Sequence, residues 1–291
     1  AFENRDGYIW MNGSFKPWKD ATSHIITQGL HYASAVFEGE RAYNGKIFKS
    51  GEHTKRLFNS ANIIGMKIPY TEEEISRAKN ELIKKMNIDN CYIRPIVWRG
   101  SQQMGLSTNN ADINVAIALW DDWASYFKIE DRLAGLKLIT SPWKRPAPDT
   151  APFEAKASGP YIICTMSKQF AEEKGYNDAL MLDYRGYVAE GTGANIFFIK
   201  GRDIHTPIPD CFLNGITRQT VISLVKEKGF NLIEKYIMPE EIKNYDEAFL
   251  TGTAAEITPI KSIDKFSYNT GENTISYQLM NDFTNLVNSY L

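Results

Sequence analysis

"FEAKASGPYIICTMSKQFAEEKGYNDALMLD", residues 153–183, sets one cation, Lys156, between two alanines ahead of a Ser-Gly-Pro turn. The run behind the turn is spaced as a helix from about Pro160 to Lys174, stopped by Gly175, and leads into a strand, "DALMLD". A lysine is a poor nucleophile while it is an ammonium. Desolvation or neighbouring cations lower its pKa and make it one. The flanking Ala and Ser and the glycine turn leave little room for solvent. Read alone, such a residue is ordinarily a surface lysine with its stem laid on apolar neighbours.

Downstream, a turn at Arg185-Gly186 joins "DALMLD" to "YVAEG" and "ANIFFI", which read as antiparallel strands. "ITRQTVISLVKEKG" is an amphipathic helix ending at Gly229. "FNLIEKYI", "DEAFLTGT" and a helix near 275–289 close the chain. Upstream, "LKLITS" is a strand, and "SPWKRPAPDTAPFEAK" reads as an extended loop because of its prolines. The first part opens on two hairpins, at Asn12-Gly13 and Asn44-Gly45. "HTKRLFNSANIIG" follows as a helix ending at Gly65. Next comes "TEEEISRAKNELIKKM", with Thr71 and Glu74 as a capping box and Ile75, Ala78, Leu82 and Met86 at helical spacing. "CYIRPIVWRG" and "DINVAIALW" are strands. Strands and helices mix without strict alternation, which predicts a mixed α+β fold. The expected organisation is a smaller N-terminal domain over 1–122, a linking loop over 123–133 and a larger C-terminal domain over 134–291, with the site in the crevice between them.

The chain has 291 residues, enough for two real cores. Its 33 Lys and Arg against 35 Asp and Glu create no field for nucleic acid or for a membrane surface. No apolar run is long enough to span a bilayer, and the polar start lacks a signal core, so the cytoplasm is expected. Cys91, Cys164 and Cys211 form no C-x-x-C pair, and His24, His31, His53 and His205 have no ligand spacing, so metal chemistry is not indicated.

Several groups could carry chemistry. Glu190 ends a strand before Gly191 and Gly193, where backbone can approach a ligand closely. "FLNGITRQT", 212–220, is a turn running into a helix start, which suits an anion. "FLTGTAAEITP", 249–259, ends a strand in hydroxyls and amides. Arg56 could grip a phosphate in two places. Tyr32, Phe37, Tyr92, Arg94, Trp123 and Tyr126 offer an aromatic lining with one cation. Each has a plainer reading: an exposed turn glutamate, ordinary turns, a solvated arginine, core aromatics. Together they are the parts of a pyridoxal-phosphate enzyme.

The chain resembles the fold-type IV pyridoxal-phosphate transaminases, and most closely the branched-chain amino acid aminotransferases. The resemblance rests on "YIWMNG", "LHYASAVFEGERAY", "HTKRL", "YIRP", "EAKASGPY", "YVAEGTGANIF", "LNGITR" and "TGTAAEITP", in that order, over nearly the whole chain. It implies pyridoxal 5′-phosphate as cofactor and reversible ping-pong transfer between leucine, isoleucine or valine and 2-oxoglutarate. It implies Lys156 as Schiff-base lysine and proton shuttle, Tyr161 on the phenolic oxygen and Glu190 on the ring nitrogen. Arg56, Thr253 and the amides of Gly215, Ile216 and Thr217 would hold the phosphate. Thr253, Ala254 and Ala255 would receive the substrate's α-carboxylate. Phe37, Tyr92, Trp123 and Tyr126 would line the side-chain pocket, and Arg94 would meet the distal carboxylate of glutamate. Tyr32 would come from a partner subunit, so a homodimer or a higher homo-oligomer is implied, without nucleic acid or membrane. Departures are Asn214, where the family commonly has Pro and the turn should loosen; Glu40, which adds charge near Arg41 and the pocket; and "WDDW" at 120–123, where Trp120 competes with Trp123. Transaminases of D-amino acids or R-amines and aminodeoxychorismate lyase share the fold and stay open as alternatives. So does a non-catalytic cofactor-binding protein.

Overall fold

The computed structural model of the chain describes residues 1–121 and 134–290. They divide into two compact units. Residues 1–121, Glu154–Pro160 and Tyr290 make the first, and residues 134–153 with Tyr161–Ser289 make the second. The division is not a single cut in the sequence: the segment carrying Lys156 leaves the second unit and packs in the first.

The first unit contains β1 (Tyr8–Met11), β2 (Ser14–Pro17), α1 (Gln28–His31), β3 (Ala35–Phe37), β4 (Glu40–Tyr43), β5 (Lys46–Ile47), α2 (Ser50–Ile63), α3 (Glu72–Met86), β6 (Cys91–Arg99) and β7 (Ile113–Trp120). Its strands form an antiparallel sheet of order β2-β1-β7-β6-β4-β5, with β3 also on β6. Both hairpins form as the sequence implies. Asn12 and Gly13 have φ of +49° and +88°, and Asn44 and Gly45 have +50° and +77°. Both central residues are left-handed, the conformation a two-residue hairpin turn requires. The capping box also forms: Thr71 Oγ1 accepts from the Glu74 N–H at 3.2 Å, and Glu74 Oε2 accepts from the Thr71 N–H at 2.7 Å. Leu57 and Ala61 of α2 and Ile75, Ala78 and Leu82 of α3 share one core with Ile93, Val97, Val115, Ile117 and Leu119 of the sheet. Ala155 and Ala157 belong to that same core.

Inside it lies a buried ion pair. Lys79 of α3 and Glu40 of β4 are both 0% exposed. Lys79 Nζ donates to Glu40 Oε1 and Oε2 at 3.0 and 2.8 Å, to Ser50 Oγ at 2.9 Å and to Thr54 Oγ1 at 2.8 Å. The Glu40 charge therefore does not reach toward Arg41, as the sequence suggested. Successive side chains of a strand point to opposite faces, and the inner face meets the cation of α3.

The second unit contains β8 (Leu136–Arg145), α4 (Tyr161–Glu173), β9 (Asp178–Asp183), β10 (Val188–Glu190), β11 (Asn195–Lys200), β12 (Asp203–Pro207), α5 (Ile216–Glu227), β13 (Asn231–Lys235), β14 (Glu247–Gly252), β15 (Glu256–Ile263), β16 (Phe266–Ser267) and α6 (Ile275–Asn288). The sheet order is β10-β9-β8-β15-β14-β11-β12-β13, and a further β10–β11 pairing closes the first six of these strands into a ring. Leu136, Leu138, Leu180, Val188, Ile196, Phe198, Leu250 and Ile260 form one core. On the opposite face of β11 and β14, Phe197 and Phe249 are register partners and stack at 5.0 Å. Strand β8 runs on through "SPWKR", which the prolines had marked as loop. Its register with β9 shifts between Thr140 and Lys144, and Pro142 sits inside that irregularity. Among the described residues no helix is long and apolar enough to cross a membrane.

Removing one partner of a buried pair strands the other charge. Lys79→Ala should lower stability by about 3–5 kcal/mol in urea unfolding, and joint replacement of Glu40 and Lys79 by leucine should recover most of that loss. A deficit under ~1 kcal/mol for Lys79→Ala would contradict this.

Candidate active site

Lys156 is held by its backbone. Val36 of β3 and Ala157 form an antiparallel bridge. The Phe37 N–H donates to the Lys156 carbonyl at 3.0 Å, and the Ser158 N–H donates to the Ala35 carbonyl at 2.9 Å. The Lys156 N–H donates to Ser60 Oγ of α2 at 2.9 Å. An extended segment alternates its side chains. Ala155 and Ala157, each 4% exposed, enter the core, and Lys156 between them faces the other way. Its Nζ lies 4.9 Å from the centre of the Phe37 ring. Burial lowers the amine's pKa, the Arg56 and Arg94 guanidinium groups lower it further, and the Glu38 carboxylate and Tyr92 work against them; the result is about 8.

Arg56 is not the solvated helix charge of its plainest reading. Its Nε donates to Glu38 Oε1 at 2.6 Å and its Nη2 to Glu38 Oε2 at 2.9 Å. His53, one turn earlier on α2, bonds Glu38 Oε2 through Nδ1 at 2.6 Å. Burial would raise the Glu38 pKa, but Arg56 and His53 overcome it and hold the carboxyl well below the usual range. Sequence reasoning passed over Glu38 and His53. The signal was there: His53 and Arg56 stand at i and i+3, on one helix face, and Glu38 is an acidic residue inside a strand-like run.

Phe37, Tyr92 and Arg94 come together beside Lys156. The Arg94 guanidinium lies 4.8 Å from the Phe37 ring centre and donates from Nη2 to the Tyr92 hydroxyl at 3.0 Å. Its Nε is buried with no hydrogen-bond partner among the described residues. A Cβ on Gly39 would stand 2.0 Å from Tyr92 Oη, so glycine there leaves room for the phenol. Tyr92 also packs on Trp120 at 5.1 Å. Tyr32 is 42% exposed and meets none of these groups; its ring contact is with His31. Trp123 and Tyr126 lie outside the described residues.

In the second unit, Glu190 ends β10 and is 8% exposed. Arg145, at the end of β8, is also buried, and its Nε stands 3.4 Å from Glu190 Oε1, an ion pair without hydrogen-bond geometry. Burial opposes the Arg145 charge, but the Glu190 carboxylate outweighs it and raises the guanidinium's pKa. Tyr161, the first residue of α4, adds to that field. Asn195 Nδ2 donates to Glu190 Oε2 at 3.2 Å. Gly215 is the N-cap of α5, and no side chain caps this helix. The Gly215 N–H itself is spoken for: it donates to Asn195 Oδ1 at 3.1 Å. The amides of Ile216 and Thr217, in the first turn of α5, have no intrahelical acceptor. Asn214 is bonded through both its side chain and its backbone. Its Oδ1 accepts from Arg218 Nη1 at 2.9 Å, and its carbonyl accepts from Gln219 Nε2 at 3.0 Å. Thr253, Ala254 and Ala255 form the turn joining β14 to β15. Next to it, the Thr251 hydroxyl is buried with no partner among the described residues. Arg145 and Asn195 were missed from sequence. Asn195 leaves a trace there, as the polar first residue of an otherwise apolar strand.

Residues 35–263 match the amino-transferase class IV family. The chain is 45% identical over 262 residues to a "Probable branched-chain-amino-acid aminotransferase" of Rickettsia bellii, covering 90% of this chain and 89% of the relative. It is 44% identical over 268 residues to a "Branched-chain-amino-acid aminotransferase" of Pseudomonas aeruginosa, covering 91% and 87%. The crystal structure of a T.th. branched-chain amino acid aminotransferase with pyridoxamine 5′-phosphate superposes with a TM-score of 0.92 at 35% identity, covering 98% of this chain and 95% of that one. The enzyme from Thermobaculum terrenum in PLP-form superposes at 0.86, with 31% identity and 97% and 94% coverage.

The cofactor-free protein should display the shifted amine directly. Acylation of Lys156, followed on its own peptide by mass spectrometry, should rise with pH with a midpoint at about 8, as the neutral amine becomes dominant. A midpoint at the ordinary lysine value, about 10.4, would contradict the assigned environment.

Proposed function

We propose, from the premise that this chain belongs to the class IV aminotransferase family and groups within it with the branched-chain-amino-acid aminotransferases, that it exchanges an amino group reversibly between leucine, isoleucine or valine and 2-oxoglutarate. The cofactor is pyridoxal 5′-phosphate, and Lys156 is the residue that binds it covalently. When bound, this cofactor supplies an aldehyde that condenses with amines and a protonated ring that withdraws electrons from the neighbouring carbon.

The residues suit that group. Lys156 presents an amine whose pKa is lowered to about 8, so a sizeable neutral fraction exists near pH 7 to act as nucleophile. With the cofactor bound, the Lys156 Nζ would be the group that takes the proton from the substrate's Cα and delivers it to C4′, on the other side of the intervening nitrogen. Glu190 is a buried carboxylate able to keep the ring nitrogen protonated, with Arg145 Nε at 3.4 Å. Tyr161 bonds the phenolic oxygen. Arg56, Thr253 and the amides of Ile216 and Thr217 bind the phosphate; Gly215, whose own amide is committed to Asn195, shapes the turn. The Thr253-Ala254-Ala255 turn receives the α-carboxylate.

Substrate choice rests on Phe37, Tyr92 and Arg94. The rings take an aliphatic side chain, and the buried Arg94 Nε, which has no partner among the described residues, can donate to the distal carboxylate of glutamate or 2-oxoglutarate. This supports two successive half-reactions in one pocket, a ping-pong order. Exposed Tyr32 is assigned to the neighbouring subunit of a homodimer. The observation that carries the reading is the Lys156 amine, desolvated and pinned beside two arginines.

Turnover of L-leucine with 2-oxoglutarate tests it. Lys156→Ala should abolish transfer, and near-normal transfer would overturn the mechanism. Arg94→Gln should raise KM for 2-oxoglutarate roughly tenfold or more, as expected for loss of a charged hydrogen bond, while leucine saturation changes little. Equal losses for both substrates would remove Arg94 from this role. Turnover of D-alanine in place of L-leucine would move the assignment to the D-amino acid enzymes of the same fold.

A further inference from the structure

Glu190, Asn195 and Thr251 are register partners across β10, β11 and β14. Partners across a sheet share a face, so three polar side chains stand in one row, 8%, 5% and 1% exposed. Asn195 is the middle one. Its Nδ2 donates to Glu190 Oε2 at 3.2 Å and to the Leu213 carbonyl at 3.0 Å, and its Oδ1 accepts from the Gly215 N–H at 3.1 Å. The orientation of the amide follows from these partners. Flipped, its oxygen would face a carboxylate and a carbonyl, and its NH2 would face an N–H. The turn approaches so closely that a Cβ on Gly215 would stand 2.3 Å from Asn195 Oδ1. Leu213 and Gly215 flank Asn214 and lead straight into α5.

We infer that Asn195 is a positioning residue that couples the Glu190 carboxylate to the Leu213–Gly215 turn. The ring-nitrogen partner and the phosphate-binding helix start are thereby held as one unit. The inference rests on the proposed roles of Glu190 and of the α5 start toward pyridoxal phosphate. It goes beyond them in predicting that the two ends are not independent: loosening either should weaken the grip at the other. Asn195→Ala removes all three bonds. Asn195→Asp keeps the acceptor for Gly215 but sets carboxylate oxygen against Glu190 and the Leu213 carbonyl.

The test measures dissociation constants from the visible band for pyridoxal phosphate, starting from holoenzyme, and for pyridoxal, which lacks the phosphate. The dissociation constant of pyridoxal divided by that of pyridoxal phosphate reports the phosphate's share of affinity. Asn195→Ala and Asn195→Asp should reduce that ratio about tenfold, the scale of a lost buried hydrogen bond, and should shift the maximum of the visible band. A lower melting temperature with ratio and band unchanged would make Asn195 merely structural and overturn the proposal. Glu190→Gln is the second variant should those fail to fold. It touches no phosphate-binding amide, yet should also reduce the ratio; an unchanged ratio there overturns the coupling. Wild-type protein that binds neither compound would instead overturn the cofactor reading itself.

Discussion

The antiparallel bridge between Val36 and Ala157 is the constraint on which the arrangement around Lys156 depends. Backbone bonds at the Lys156 carbonyl and the Ser158 N–H tie the segment to β3 on either side of Ala157, and the Lys156 N–H bonds Ser60 of α2. Alternation does the rest: two alanines enter the core, and the lysine is turned onto the face that carries Phe37. Larger residues at 155 or 157 would have to displace core atoms. The alanines that flank Lys156 are thus part of how its amine is aimed.

Helix α2, which supplies Ser60, is itself seated by charge. Glu38 and Glu40 are both fully buried. Glu38 takes Arg56 and His53 from α2, and Glu40 takes Lys79 from α3, which also bonds Ser50 and Thr54 of α2. Buried pairs add little stability over apolar residues of equal size, but they tolerate few alternative arrangements. Here they tie α2, which carries Arg56 and Ser60, to Glu38 and, through Lys79, to Glu40 of β4.

The sequence made some of this legible and hid other parts for physical reasons. Asn-Gly turns and the Thr71–Glu74 box are local devices, complete within a few residues, and they form as expected. Strands buried on both faces lack the two-residue alternation that announces a strand, and β15, whose first five residues are all buried, is hidden for that reason. Strand β8 reads as ending before Pro142 because proline is uncommon inside a strand. The outlying position of residues 154–160 in the first unit depends on a long-range bridge that no local pattern encodes. Among the candidate residues, those named by chemistry (Lys156, Glu190, Arg94) could be picked out of the sequence. Those that act by holding others, Glu38, His53, Arg145 and Asn195, could not, because their meaning lies in partners distant along the chain.

The central claim is that the Lys156 amine serves a pyridoxal-phosphate transamination of branched-chain amino acids. The visible spectrum of the purified protein tests it most directly, recorded before and after L-leucine and then 2-oxoglutarate. The account predicts a band from the lysine-bound cofactor that leucine removes and 2-oxoglutarate restores. A band indifferent to leucine would contradict the substrate assignment, and no band even after added pyridoxal phosphate would contradict the role of Lys156.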